Sequence, residues 1–187
     1  MNDSEEVNYW HAFIEGNLDA LAVLFLYYAK GLVSYGMKIY LDEELVKDSI
    51  QEVFIQLIQK RHKLRRNDRI KGLVYRMLRN KMIDEIKLIN RTKKIDNLIF
   101  NTNSGFEMDA EYHHIGFEEE IIRNSILNSA LDQLSTHQKE AMFLKYSNGL
   151  NYEQISEAMD ISIASARTLI YRTLKQLKSQ LSGKLDE

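Results

Sequence analysis

The sequence predicts an all-α protein made of two small helical domains. Three observations carry that expectation. The chain of 187 residues contains no proline and only eight glycines, so little in it breaks a helix. Apolar residues recur at spacings of three and four over long stretches, the period of a one-sided helix. Helix-capping residues stand immediately ahead of several of these stretches.

The elements follow in order. A first helix is expected from Val7 to Glu15. Gly16-Asn17 ends it, and Asn17 is a good N-cap for the next. There Leu18, Leu21, Phe25, Tyr28, Leu32, Tyr35 and Ile39 form an apolar stripe. Asp42 caps a third helix, Glu43 to about Arg61, whose apolar residues include Val46, Ile50, Val53, Phe54, Leu57 and Ile58. A basic loop from His62 to Arg69 leads to a fourth helix, about Ile70 to Ile89, and the four are expected to close into one bundle. Over Asn90–Phe117 the apolar period fades and Asn101-Thr-Asn-Ser-Gly is turn-forming, which marks a linker. Periodicity resumes with a helix from about Glu118 to Leu134. Ser135-Thr-His-Gln138 then reads as a capping box for a helix to about Ser147, stopped by Asn148-Gly149. Asn151-Tyr-Glu-Gln154 repeats the box ahead of a short helix, Tyr152 to Met159. Asp160-Ile161 makes a tight turn, and Ser162 caps a last long helix to about Leu181. The expected domains are residues 1–94 and 118–187, joined by residues 95–117.

The formal net charge is −2, which by itself argues against nucleic acid, but the charge is blocked. From Lys60 to Lys94 fourteen Lys/Arg face three acids, a balance of +11, while the segments before and after it are acidic at −7 and −9. From Ile161 onward the balance returns to +3. Two basic stretches in acidic surroundings point to DNA contact at two places. No cysteine is present, which excludes disulfides and thiolate metal sites and fits a reducing, cytoplasmic setting. The acidic, polar segment Met1–Glu6 is unlike a secretory signal. The apolar run around Leu18–Tyr28 reads as too short and interrupted to span a bilayer, so no membrane insertion is expected. His11, His62, His113, His114 and His137 lack ligand spacing, and no nucleophile triad or glycine-rich phosphate loop occurs. No catalytic residue, metal, cofactor or small-molecule substrate is therefore expected.

The last two helices have a helix-turn-helix layout. Ile155, Ala158 and Met159 give the inner face of the first, Ile161 plugs the turn, and Ala166, Leu169, Ile170, Thr173, Leu174 and Leu177 form the inner stripe of the second. The other face carries Ser165, Arg167, Thr168, Tyr171, Arg172 and Lys175, and no acid occurs between Ile161 and Leu185. Such a face can read base edges near its start and hold phosphates further along. On the third helix Asp48, Gln51, Glu52 and Ile55 share one face, a polar ridge suited to a basic helical partner.

The order of these features is similar to the bacterial sigma-70 family, in its extracytoplasmic-function class. Asp48, Gln51, Glu52 and Phe54 match the pattern D-x-x-Q-E-x-F. Tyr75, Arg79, Asn80 and Asp84 match roughly W-L-Y-x-I-A-R-N-x-x-x-D. Leu134, Gln138, Phe143 or Leu144, Tyr146, Gly149-Leu150, Tyr152-Glu153, Ile155 and Glu157 match the C-terminal segment. The chain departs from the family at Leu73, where a tryptophan is usual, at Ser135 in place of proline, and at Asp160 in the turn in place of glycine. The resemblance implies a non-enzymatic promoter-recognition factor with core RNA polymerase and promoter DNA as partners. Asp48, Gln51, Glu52, Phe54 and Ile55 would bind the polymerase. Arg65, Arg66, Arg69, Lys71, Arg76, Arg79 and Asn80 would engage and open the −10 element, and the Ser165–Lys175 face would read the −35 element. Many members are held inactive by an anti-sigma protein that occludes both domains; the resemblance allows that partner here, although no residue points to it. Two other readings share parts of this evidence: a helix-turn-helix regulator with an N-terminal partner-binding or sensing bundle, and a protein-binding helical adaptor.

Overall fold

Capping decides where the helices begin. In the computed structural model, which describes residues 1–65, 69–93 and 127–185, helix α1 covers Asp3–Glu15. It starts four residues earlier than expected because Asn2 and Glu5 close a capping box and Asp3, Glu5 and Glu6 place negative charge in the first turn. Gly16 ends it in a left-handed conformation (φ 117°). Asn17 then caps α2, Leu18–Ile39, by accepting from the amides of Asp19 and Ala20. Asp42 caps α3, Glu43–Gln59. A short 3-10 turn, Arg61–Lys63, precedes α4, Ile70–Lys93.

These four helices form the expected bundle around Trp10, Phe13, Leu21, Leu24, Tyr28, Leu32, Tyr35, Val53, Leu57, Leu78 and Met82. The stripe on α2 is as expected at Leu21, Tyr28, Leu32, Tyr35 and Ile39 and differs in its first two turns. Leu18 is 51% exposed, whereas Leu24 is fully buried and Phe25 only partly so. An N-terminal residue lies beyond the reach of its neighbours, and Leu24 sits one turn before Tyr28 on the inner line. α2 also extends the apolar run well past Tyr28. At 22 residues it is long and apolar enough to cross a membrane by length and composition, contrary to expectation. Its inner line is packed in the bundle, as in the central helix of a globular domain. Gly36 lets α3 approach: a Cβ there would stand 2.6 Å from Val46 Cγ1.

The C-terminal unit begins, among the described residues, with a helical segment over 127–132 (α5). Ser135 and Gln138 close a capping box on α6, Thr136–Tyr146, and Asn151 and Gln154 close another on α7, Tyr152–Ala158. Gly149 makes the intervening turn at φ 64°. Asp160 takes the left-handed conformation (φ 54°) in the turn into α8, Ile163–Leu185. The Ser162 hydroxyl caps α8 by accepting from the Ser165 amide at 3.0 Å. Ile155, Ala158, Met159, Ala166, Ile170, Thr173 and Leu177 are buried between these helices and Ile161 is half-buried. Leu174, expected in the same stripe, is 40% exposed; its line is occupied by Ile170, Thr173 and Leu177, and the Thr173 hydroxyl is satisfied by the Leu169 carbonyl at 2.8 Å. The expected linker, residues 95–117, and the first turns of the helix expected from Glu118 lie outside the described residues.

The two units pack on each other. α7 lies along α4, the most extensive pairing of elements among the described residues.

Candidate promoter and polymerase interfaces

The outer face of α8 is open. Ser165, Arg167, Thr168, Tyr171, Arg172 and Lys175 are all exposed along it. Two are pre-positioned. The Ser165 hydroxyl lies 2.8 Å from that of Ser162, and the Arg167 guanidinium sits 5.6 Å from the centroid of the Tyr152 ring, which Lys145 also faces at 4.8 Å. Tyr152 thus links the start of α7 to the reading face through cation–π contacts, a role that sequence spacing alone did not reveal. The amide of Gln138 donates to Gln176 at 3.0 Å, tying α6 to α8. Apart from Arg167, the side chains that hold α8 in place are distinct from those it presents.

On α3, Asp48, Gln51, Glu52 and Ile55 are exposed on one face, as expected. Phe54 is not on it. Phe54 is buried and meets Phe25 edge-on, with ring centroids 4.9 Å apart. It supports the ridge from beneath and offers no surface to a partner. Ile58, counted in the sequence only among the apolar residues of this helix, is 45% exposed and continues the ridge past Ile55. Its spacing from Gln51 and Ile55, seven and three residues, is the signal that could have placed it there. Glu52 is held by Lys81 of α4, which also pairs with Glu85 at 2.6 Å.

The basic surface of α4 departs most from expectation. Arg65 and Asn80 are exposed, and the Arg65 carbonyl accepts from the Trp10 indole at 3.1 Å, which fixes the chain ahead of α4. Arg66 lies outside the described residues. The other four cations are engaged by the C-terminal unit. Arg69 pairs with Glu153 at 2.6 Å and Arg76 with Glu157 at 3.6 Å. The Lys71 ammonium donates to the Asn148 carbonyl at 2.9 Å. Arg79 Nε donates to Glu140 at 2.7 Å, and the same carboxylate oxygen accepts from the Tyr35 hydroxyl at 2.7 Å. These residues do not form an open DNA-facing surface here, because the arginines pair with acids of α6 and α7 and Lys71 with the turn between those helices.

The contacts differ in weight. Both members of the Arg69–Glu153 pair are more than two-fifths exposed, so that pair contributes about 0–1 kcal/mol. The Arg79 and Glu140 side chains are 20% and 5% exposed and Tyr35 is fully buried, so this triad governs the seam. Burial works against the Arg79 charge, but the hydrogen bond and charge of Glu140 more than offset it and hold the guanidinium above its ordinary value. Burial, then the Glu140 charge, raises the Tyr35 phenol well above the usual range. Lys71 is lowered, chiefly by burial. Two glycines permit the close fit. A Cβ on Gly72 would lie 2.9 Å from Glu157 Oε2 and 3.1 Å from the Gln154 carbonyl, and one on Gly31 would lie 3.2 Å from Asn148 Nδ2. Asn148 also donates across the seam to the Gly31 carbonyl at 3.1 Å. Among the described residues no group of three or more His, Cys, Asp or Glu could hold a metal ion.

A four-helix bundle followed by a helix-turn-helix unit defines an all-α, two-domain DNA-binding protein. Comparison with known proteins gives the family. Residues 24–92 match the family described as Sigma-70 region 2, and residues 125–177 match Sigma-70, region 4. A relative named as the extracytoplasmic-function RNA polymerase sigma factor SigM of Bacillus subtilis is 23% identical over 138 residues, covering 74% of this chain and 80% of its own. The structure of CnrH in complex with the cytosolic domain of CnrY superposes with a TM-score of 0.62 at 17% identity, covering 96% of this chain and 98% of that one. The sigma factor RpoE from Bartonella quintana, solved with the anti-sigma factor NepR, gives a TM-score of 0.57 at 17% identity, covering 87% and 96%. The chain belongs to the sigma-70 family, in its extracytoplasmic-function class. The match over region 2 removes the ground for an ordinary helix-turn-helix regulator with an unrelated N-terminal bundle.

Proposed function

We propose that this chain directs core RNA polymerase to a defined set of promoters and releases no product of its own: it binds, positions and opens DNA without a catalytic step. The observation that carries this reading is the pairing of an exposed, acid-free α8 face with an exposed polar ridge on α3 in one chain whose two halves match sigma regions 2 and 4. Asp48, Gln51, Glu52, Ile55 and Ile58 would dock on the polymerase. Ser165, Arg167, Thr168, Tyr171, Arg172 and Lys175 would read the −35 element, each good base contact giving about 1–3 kcal/mol of discrimination. Arg65, Arg66, Arg69, Lys71, Arg76, Arg79 and Asn80 would engage the −10 element, where cations hold the backbone of the displaced strand and Asn80 can donate and accept at a base edge. The working units are residues 1–94 and 118–187, and the site of action is the cytoplasm, where polymerase is found. An anti-sigma protein is a further partner by analogy with the Bartonella factor.

Reconstitution tests this. The chain mixed with bacterial core polymerase and a genomic promoter library is expected to give discrete run-off transcripts. A chain that yields them only when another sigma factor is added is a regulator instead.

A further inference from the structure

A half-open cleft of about 620 Å³ lies between α2, α4 and α6. Its volume falls within the range of about 300–1,000 Å³ that holds single small molecules. No residue of the −35 face or of the polymerase ridge lines it. Tyr27, Lys30, Ser34 and Lys38 follow one another at spacings of three and four on α2, so they form one continuous wall. The C-terminal unit contributes Phe143 and Tyr146 of α6 and Asn148 of the turn after it. Lys71 and the buried Tyr75 of α4 complete the lining.

Three lysines and no acid line this cleft. Walls of one charge sign concentrate ligands of the other. Lys30 and Lys38 stand eight residues apart, about 12 Å along the helix axis, which suits an extended anion better than a single carboxylate. Lys71 is held in place, its ammonium donating to the Asn148 carbonyl at 2.9 Å, and Lys38 lies 5.8 Å from the Phe143 ring centroid. The acids that act on Lys71, Glu6 and Asp3, belong to α1 and do not line the cleft. Tyr27 and Tyr146 are 45% and 51% exposed, and open tyrosine rings beside cations offer a stacking surface to a planar group. One acceptor is unfilled. The Asn148 amide donates to the Gly31 carbonyl at 3.1 Å, but its Oδ1 is shut off from water without a hydrogen-bond partner. A donor on a bound molecule would remove that cost.

We propose that this cleft binds a free nucleoside polyphosphate, with its phosphates along Lys30, Ser34 and Lys38, its base against Tyr146, and an N–H of the base donating to Asn148 Oδ1. An extended anion, a planar ring and a donor occur together in that class of molecule. The walls come from both units, so the bound nucleotide would bridge them.

Isothermal titration calorimetry of the full chain with ATP and with GTP tests this. One nucleotide per chain is expected to bind for at least one of the two. Lys30→Gln and Lys38→Gln should each weaken that binding about tenfold, the worth of one charge-assisted hydrogen bond. Tyr146→Ala should also weaken it about tenfold, yet leave the weaker binding of inorganic triphosphate unchanged. Circular dichroism checks that each variant keeps its helices. No binding of either nucleotide at millimolar concentration overturns the proposal. Triphosphate binding as tight as the nucleotide's, with Tyr146→Ala silent, overturns it in favour of a bare anion site. A random-sequence single strand that binds through Lys30 and Lys38 while ATP and GTP do not overturns it in favour of nucleic acid.

Discussion

Glu140→Ala is the sharpest perturbation of the seam. In the docked chain Glu140 accepts from Arg79 Nε and from the Tyr35 hydroxyl, both at 2.7 Å, and its side chain is 5% exposed. Removing it strands a partly buried guanidinium and a fully buried hydroxyl. Loss of one member of a buried ion pair costs about 3–5 kcal/mol. The molecule has an alternative, since separating the units returns both donors to water. The observed loss is therefore the smaller of that cost and the free energy of docking. At about 1.4 kcal/mol per tenfold, 3 kcal/mol raises the open-to-closed ratio by about a hundredfold. The absence of cysteine makes the assay clean: Gln59→Cys on α3 and Lys178→Cys on α8 place one dye on each unit at exposed positions. Single-molecule energy transfer should shift from a dominant high-transfer population to a low-transfer one in Glu140→Ala. An unchanged distribution would refute the assignment of the triad as the governing contact.

Other expectations follow from the packing. Gly36→Ala drives a methyl into Val46, so overpacking of about 1–3 kcal/mol should outweigh the helix-propensity gain of about 1 kcal/mol; the urea midpoint should fall, and Val46→Ala in the same chain should restore part of it. Ser135→Ala removes a capping box and should cost the C-terminal unit about 0.5–2 kcal/mol in thermal unfolding. Burial raises the Glu6 carboxyl above its ordinary value. The native state then holds that proton more tightly than the unfolded chain, so the contribution is present at low pH and lost as pH rises through the folded value. Glu6→Gln should be more stable than wild type at pH 7, with the difference shrinking toward pH 4. Arg172→Ala should weaken −35-dependent transcription by about 1–3 kcal/mol in kcat/KM for promoter DNA.

Local features of this molecule were legible in the sequence, and those depending on distant partners were not. The capping boxes at Ser135 and Asn151 and the turn at Asp160 lie where residue spacing places them, because capping is decided within four residues. The inner and outer faces of α8 also follow from the helical period, apart from Leu174. Near element ends the period says little about contact, which is why Leu18 is outside the core. Phe54 belongs to the motif that marks the polymerase-facing helix, yet its ring lies under that face against Phe25. A motif records which residues occur together and not which way each one points. The covering of Arg69, Lys71, Arg76 and Arg79 depends on partners between 61 and 84 positions away, at Glu140, Asn148, Glu153 and Glu157. In the sequence Glu140 counts only as part of an acidic block, and Glu153 and Glu157 only as part of that block and of the C-terminal motif. The small size of Gly72 and Gly31, which makes the fit possible, is equally silent without the opposing surface.

The central claim is that one chain holds promoter DNA at two places through two different surfaces. Permanganate reactivity of unpaired thymines, measured on a responsive promoter with core polymerase, separates the two. Lys71→Ala with Arg76→Ala is expected to leave the complex bound but abolish reactivity around the −10 element, while Arg167→Ala with Arg172→Ala is expected to abolish binding at the −35 element. Full promoter opening by the Lys71→Ala, Arg76→Ala protein would contradict it.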